Sequence, residues 1–372
     1  MCDRSQRMDH FWVMSTPGSA SPADAARVRA SIPAMATTRP RRATIRDVAL
    51  EAGVSRGTVS RVLNGEPYVS AEARIAIERA IASVGYVPNT AARNLATQRS
   101  RAVGFLVHEP HALFLEDPNI GAILLGANRV LSGADLQMVS LVIDSERDSR
   151  RVERYLSGGF VDGAVIVSAR QEDSLLSAFG RLSIPATIVG RPPASVRVPW
   201  VGIDNRGAAR AITEHLVGTG RRRIGMLAVA LDRDSGADRL AGFRDAMGDR
   251  FDPDLVVERP LYEYTAGRSA MEELLERDPT VDGVFAASDA VAAGALDALR
   301  AAGRVVPDDV GVVGFDDSSW AQRSQPQLTT VHQPARLLGE RAAESVLAQL
   351  RGEEPSLDGT ILETHVVVRG SA

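Results

Sequence analysis

From Arg101 onward, apolar runs of strand length alternate with amphipathic stretches of helical length. The series is AVGFLV, NIGAILLGANRVLSGA, LQMVSLVI, RRVERYLSGG, VDGAVIVSA and a helix leading to PATIVG. Continuous apolar strands interleaved with helices predict parallel sheets covered on both faces. The pattern restarts at VPWVGID and passes through NRGAARAITEHLVGTG, IGMLAV, RLAGFRDAM, LVVERP, a helix to LLERD, GVFAAS, a helix to LRAAG, and VGVVGFDD. The helix RLLGERAAESVLAQL and the strand ETHVVVRGS complete it. The expected core is therefore α/β, two doubly wound parallel-sheet lobes over residues 101–372. Lobe 1 takes about 101–200 plus part of 333–355, and lobe 2 takes about 201–332 plus the C-terminal strand.

A different periodicity precedes this core. Residues 44–64 read TIRDVALEAGVSRGTVSRVLN, two short helices joined through Gly53. Thr44 and Asp47 form a capping-box pattern that starts helix one near Ile45. Ile45, Val48, Ala49 and Ala52 would face inward, and Gly53 lets the chain turn in a left-handed conformation. Ser55 caps the second helix, where Val59, Val62 and Leu63 have the spacing of a buried stripe. Arg56, Gly57, Ser60 and Arg61 are left outward. Core packing is the ordinary explanation of any amphipathic helix pair, but two outward arginines also suit the major groove. There a guanidinium bonds guanine O6 and N7 together, so Arg56 and Arg61 are the base-reading candidates. Thr44, Ser55, Thr58, Ser60 and Asn64 are short hydrogen-bonders suited to phosphates. Gly57 costs about 1 kcal/mol against Ala in a helix, which suggests close approach of the backbone to DNA.

A third helix starts at Ser70, with Glu72 in its first turn, runs through Ile75, Ile77 and Ile81, and stops at Gly85, closing an all-α headpiece over residues 43–87. After YVP, Asn89 can cap a helix of about two turns, too short to be stable alone in water. Residues 88–100 therefore read as a hinge helix and linker. Leu95 from two chains side by side can wedge between minor-groove base steps, the alternative being an ordinary linker helix.

At 372 residues the chain exceeds one domain. Net charge is −4, yet residues 39–101 hold 11 Arg against 5 Asp or Glu, a surplus of 6, which leaves −10 for the remainder. A basic head on an acidic body favours salt-sensitive binding to phosphates. All 43 basic residues are arginine, a bias given no functional weight. The single cysteine, Cys2, excludes an internal disulfide and a cysteine-cluster metal site, as expected of a cytoplasmic protein. No apolar run approaches the ~20 residues of a membrane span. Residues 1–42 are small, polar and proline-punctuated, so disorder is expected there, and Met35 makes a natural start that would leave the first 34 residues an upstream extension.

In open parallel sheets, ligands sit beyond the carboxyl ends of the strands. The residues there are Arg191 after TIVG, Ser288 and Asp289 after VFAA, and Asp316 and Asp317 after VVGF, while Arg239 begins RLAGF at a helix entrance. Carboxylates and guanidiniums in a cleft suit paired sugar hydroxyls, and Tyr262 or Tyr264 can stack on a pyranose face. The bland alternatives are a helix cap for Asp289, an ion pair for Asp316 and a surface ring for Tyr262. Asp204 and Asn205 read as a cap for AARAITEHL.

The TIRDVALEAGVSRGTVSRVLN and YVPNTAARNLATQRS strings resemble the lactose/galactose repressor (LacI/GalR) family, and the resemblance spans about residues 43–370. It implies a helix-turn-helix head, a periplasmic-binding-protein type I core, and a homodimer on a pseudo-palindromic double-stranded DNA operator controlled by a small effector such as a sugar. Arg56, Gly57 and Arg61 match the family's base-reading positions, and Ala92 and Leu95 its hinge positions. Arg239, Ser288 and Asp316 match effector-contacting positions, and Arg191 and Tyr262 align with the cleft. Arg221 stands where the family commonly has His. No cofactor or metal is implied.

Catalysis finds little support. The six histidines show no HExxH or HxH spacing, and GxxxxGK[ST] is impossible without lysine. Asp316 and Asp317 are adjacent and expected to diverge rather than act as an acid/base pair. The rival classes are a periplasmic sugar receptor, which would need an export signal and no basic head, and a sugar-metabolising enzyme carrying such a head.

Overall fold

Asp47 turns back on Thr44 at the start of the first helix, α1 (Ile45–Glu51). Its carboxylate accepts the Thr44 backbone N–H at 2.7 Å and the hydroxyl at 2.8 Å. The computed structural model describes residues 43–63, 65–66, 68–87, 99–171, 174–182 and 184–372. The chain divides into two compact units, Met1–Asn89 and Thr90–Ala372. In the first, α1 is followed by α2 (Arg56–Leu63) and α3 (Ala71–Val84). Gly53 between α1 and α2 has φ +65°, the left-handed turn expected there. Val48, Ala49, Val59, Ile77 and Ala80 form the buried centre, with Ile45, Ala52, Val62 and Leu63 half-buried at its edge. Ile75 lies outside it, exposed. The calls on residues 1–42, on Asn64 and on the hinge residues Asn89, Ala92 and Leu95 lie outside the described residues.

In the second unit the order is β1 (Ala102–Val107), α4 (His111–Glu116), α5 (Pro118–Gly133), β2 (Gln137–Val142), α6 (Glu146–Ser157), β3 (Gly163–Val167), α7 (Ser174–Leu182), β4 (Ala186–Val189) and β5 (Trp200–Ile203). Then come α8 (Asn205–Gly218), β6 (Ile224–Val229), α9 (Asp234–Met247), β7 (Val256–Arg259), α10 (Tyr264–Arg277), β8 (Gly283–Ala286), α11 (Asp289–Ala301) and β9 (Gly311–Val313). The series ends with α12 (Ser319–Arg323), β10 (Thr330–His332), α13 (Ala335–Leu350), β11 (Thr360–Leu362) and β12 (His365–Val367).

One sheet runs β11-β5-β4-β3-β1-β2 and the other β7-β6-β8-β9, every neighbouring pair parallel. An antiparallel pair, β10-β12, accompanies the second. Strands such as β1, β3, β6 and β8 are buried along their whole length, as apolar runs between two helical layers must be.

The expected restart of the second lobe at VPWVGID is corrected by this pairing. Trp200 and Val201 sit beside Ile188 and Val189, so β5 extends the first sheet and the chain leaves that lobe only after Ile203. The segment between β4 and β5 is no lobe boundary. It is instead a short return that keeps two adjacent strands parallel. The chain crosses back before α13, which packs on α5, β3 and β4, then adds β11 beside β5 and crosses again into β12. Helices α5 and α13 approach so closely that a Cβ at Gly126 would collide with the Arg336 carbonyl and one at Gly339 with that of Ile123. Among the described residues no helix is long and apolar enough to cross a membrane.

Candidate functional site

The first unit presents a surface built on α2. Ser55 caps it, accepting the Thr58 N–H at 3.1 Å, and its hydroxyl lies 2.9 Å from that of Thr58. Val59 is buried below, and Arg56, Gly57 and Arg61 are exposed above. Of the short hydrogen-bonders, Thr44 and Ser55 are exposed while Thr58 and Ser60 are half-buried. A Cβ at Gly57 would meet only ordinary contacts, Ser55 Oγ at 3.6 Å and Arg61 Nη2 at 3.9 Å. Nothing within the head therefore requires glycine at that position.

The second unit holds a cavity of about 110 Å³ between its two sheets, at the carboxyl ends of their strands. Arg239, Tyr262 and Asp316 line it together. Arg239 is corrected in one respect, because it lies in the interior of α9 and not at a helix entrance. Its buried guanidinium donates to Asn205 Oδ1 at 3.0 Å, the Ala287 carbonyl at 2.6 Å and Gln333 Oε1 at 3.5 Å. Nη2 lies 3.3 Å from Asp316 Oδ1, and Cζ stands 3.6 Å over the Phe315 ring. Asp316, at φ +114°, is turned into the cavity by a conformation L-residues rarely adopt. Burial pushes its carboxyl well above the ordinary range, against the pull of Arg239. The Tyr262 hydroxyl is 2.8 Å from Ser235 Oγ, its ring lies 5.8 Å from the Arg239 guanidinium, and burial raises its phenol. Asp317 diverges from Asp316, as expected of neighbours, and bonds His332 at 3.0 Å and Arg369 at 2.5 Å.

Four candidates are not brought into this cavity. Arg191 is exposed and paired with Asp238 at 2.6 Å. Ser288 is buried as the N-cap of α11, accepting the Val291 N–H at 3.3 Å, and borders only a small adjoining void. Asp289 is neither ligand-facing nor the cap. It is fully buried and accepts the Thr330 hydroxyl at 2.6 Å and the Ser318 N–H at 2.7 Å, and burial pushes it up to about 7. Tyr264 likewise faces another cavity, stacked on Trp320 at 5.8 Å. Arg221 reaches the carbonyls of Pro307 and Asp308.

Other residues lining the cavity escaped the sequence. Asp204 does cap α8, accepting the Gly207 N–H at 2.9 Å, but Asn205 turns inward to Arg239. Glu109 follows β1, Asp117 stands between α4 and α5, and Arg233 precedes α9. Glu109 and Arg233 form a buried pair across the two lobes. Asp117 caps α5 through the Asn119 N–H at 2.8 Å, its carboxyl raised by burial. The HEP triplet after AVGFLV was the available signal, since it stands at a strand end like the others. The lining mixes fixed carboxylates, guanidiniums, amides and one phenol over aliphatic walls, an arrangement suited to a neutral ligand rich in hydroxyls. Among the described residues no group of His, Cys, Asp and Glu could hold a metal.

Residues 44–89 match the model of bacterial regulatory proteins of the lacI family, and residues 213–372 that of a periplasmic binding protein-like domain. The chain is 41% identical over 338 residues to the HTH-type transcriptional regulator CelR of Thermobifida fusca, covering 90% of this chain and 99% of that one. It is 32% identical to the ribose operon repressor of Halalkalibacterium halodurans, over 88% of this chain and 96% of that one. Among solved structures it resembles a CelR–cellobiose complex (TM-score 0.70, 40% identity, covering 89% of this chain and 100% of that one). It also resembles the lac repressor dimer bound to operator and an anti-inducer (TM-score 0.79, 26% identity, covering 89% and 99%). With such likeness along nearly the whole of its relatives, the chain belongs to the LacI family of bacterial regulatory proteins.

Proposed function

We propose that this regulator is a repressor that holds a pseudo-palindromic double-stranded DNA operator as a homodimer, with its grip set by a sugar in the interlobe cleft. The carrying observation is the Arg239–Asp316 pair, a buried donor-acceptor couple aimed into a polar cavity of a chain that also bears exposed Arg56 and Arg61 on a capped second helix. Arg56 and Arg61 read bases, Gly57 admits the backbone to the groove, and Thr44, Ser55, Thr58 and Ser60 serve phosphates. Arg239, Asp316 and Tyr262, joined by Asn205, hold the sugar's hydroxyls and ring. The operator-bound lac repressor dimer and the cellobiose-bound CelR support both halves of this role. The sugar acts by favouring one of two states of the core, since equal affinity for both would shift nothing. A periplasmic receptor would have the cleft without the basic head, and a catalytic role has no support in the relatives, which are regulators.

Footprinting on DNA fragments from the source genome, with and without sugars, tests this. The expected result is a protected inverted repeat whose protection changes with one sugar. The absence of any protected repeat under every sugar tried removes the proposal.

A further inference from the structure

We infer that the cleft ligand is a linear oligosaccharide of at least two units, its outer unit seated on an aromatic shelf made by Trp320 and Tyr264. This rests on the sugar-controlled role above and adds the ligand's length and the residue that reads it. The deep cavity is separated from a second, outer one only by a void with room for about one water and the residues around it. Asp117, Asn119, Tyr262 and Asp316 border both the deep cavity and this void of about 10 Å³. Pro118 and Trp320 border the void and also the outer cavity of about 460 Å³, against about 110 Å³ for the deep one. Trp320 thus stands at the junction, and most of the free volume lies beyond it. On another wall of the deep cavity stands the buried Glu109–Arg233 pair, which bars growth in that direction.

The chemistry of the outer cavity points to the same class of ligand. Trp320 stacks on Tyr264 with ring centroids 5.8 Å apart and planes inclined by 23°. Asp297 fixes the Tyr264 hydroxyl and is itself held by Arg300 at 2.6 Å. Glu116 and Arg323 stand at the same cavity. Aromatic faces take the C–H face of a pyranose, and carboxylates and guanidiniums take its hydroxyl edge. A purely apolar ligand would gain nothing from these polar edges, and a charged one would meet groups of both signs.

Calorimetric titration of the full chain compares glucose, xylose and galactose with their dimers cellobiose, maltose, xylobiose and lactose. One dimer is expected to bind at least about tenfold tighter than its monomer. Trp320→Ala should erase most of that advantage while leaving monomer affinity within about twofold, and Trp320→Phe should restore it. Melting curves and sugar-free operator binding report whether each variant folds. If Trp320→Ala does not fold, Tyr264→Ala is expected to show the same selective loss. A monomer that binds as tightly as its dimer, or a loss shared equally by both, overturns the shelf and leaves the sugar-controlled role standing. No binding by any of the seven sugars overturns both.

Discussion

Glu109 and Arg233 meet across the two lobes of the core as a buried ion pair with two contacts, Nη2 to Oε2 at 3.0 Å and Nη1 to Oε1. Glu109 follows a strand of the first sheet, and Arg233 precedes a helix packed on the second. Both are shielded from water, so removing one charge strands the other in a poorly solvating site. Glu109→Gln should therefore destabilise the core by about 3–5 kcal/mol, and replacing both residues with Met should recover much of the loss. Urea unfolding of the single and double variants checks this. A double variant as unstable as the sum of the two single ones would mean the pair is not coupled.

Arg239 has no such partner across the lobes, but its guanidinium touches four groups around the cavity. Arg239→Ala should weaken the effector by about 2–5 kcal/mol, since Asp316 is left buried without its partner. Operator binding without effector should persist. Titration calorimetry and gel shifts separate the two, and a wild-type response to sugar would show that the cleft role is misassigned.

Asp316 is legible in the sequence because it obeys a local rule, a polar residue where a parallel strand ends, whereas Arg239 lies inside α9 and is reached only through RLAGF and the family resemblance. Glu109 obeys the same rule after β1, whereas Asp117 lies beyond α4 as the cap of α5, where no strand end marks it. Asn205 was read together with Asp204 as a cap. Asp204 alone caps, and the next residue on a helix points about a quarter-turn away, here toward Arg239. The strand status of residues 200–203 was legible, but their sheet was not. Pairing between Ile188 and Trp200, and later with β11, depends on contacts that no local pattern encodes. Asp289 was misread for the same reason, because its partners Ser318 and Thr330 lie 29 and 41 residues further along.

On α2, glycine and arginine should respond in opposite ways. Gly57→Ala meets no obstacle inside the head, so it should stabilise that unit by up to about 1 kcal/mol while lowering operator affinity. Arg61→Ala should leave stability unchanged, lower operator affinity by about 1–3 kcal/mol and relax one base preference. Thermal unfolding combined with binding-site selection distinguishes these outcomes. If Gly57→Ala bound the operator as well as the wild type, close backbone approach would be the wrong explanation for the glycine.

Asp289 gives the core a pH dependence of defined sign. Burial raises its carboxyl from the ordinary 3.8 to about 7, so between those values the folded chain holds a proton that the unfolded chain has released. Stability contributed at this site is accordingly greatest below about pH 4, falls as pH rises toward about 7, and levels off above it. Asp289→Asn has no such titration. It keeps an oxygen for the Ser318 N–H or the Thr330 hydroxyl but cannot accept both as a carboxylate does. The stability of the wild type relative to Asp289→Asn should therefore decline steadily between about pH 5 and pH 7. Denaturant unfolding of both chains at intervals across that range measures it. A gap that stays constant or widens with pH would mean that Asp289 titrates in its ordinary range and that Thr330 and Ser318 hold a charged carboxylate throughout.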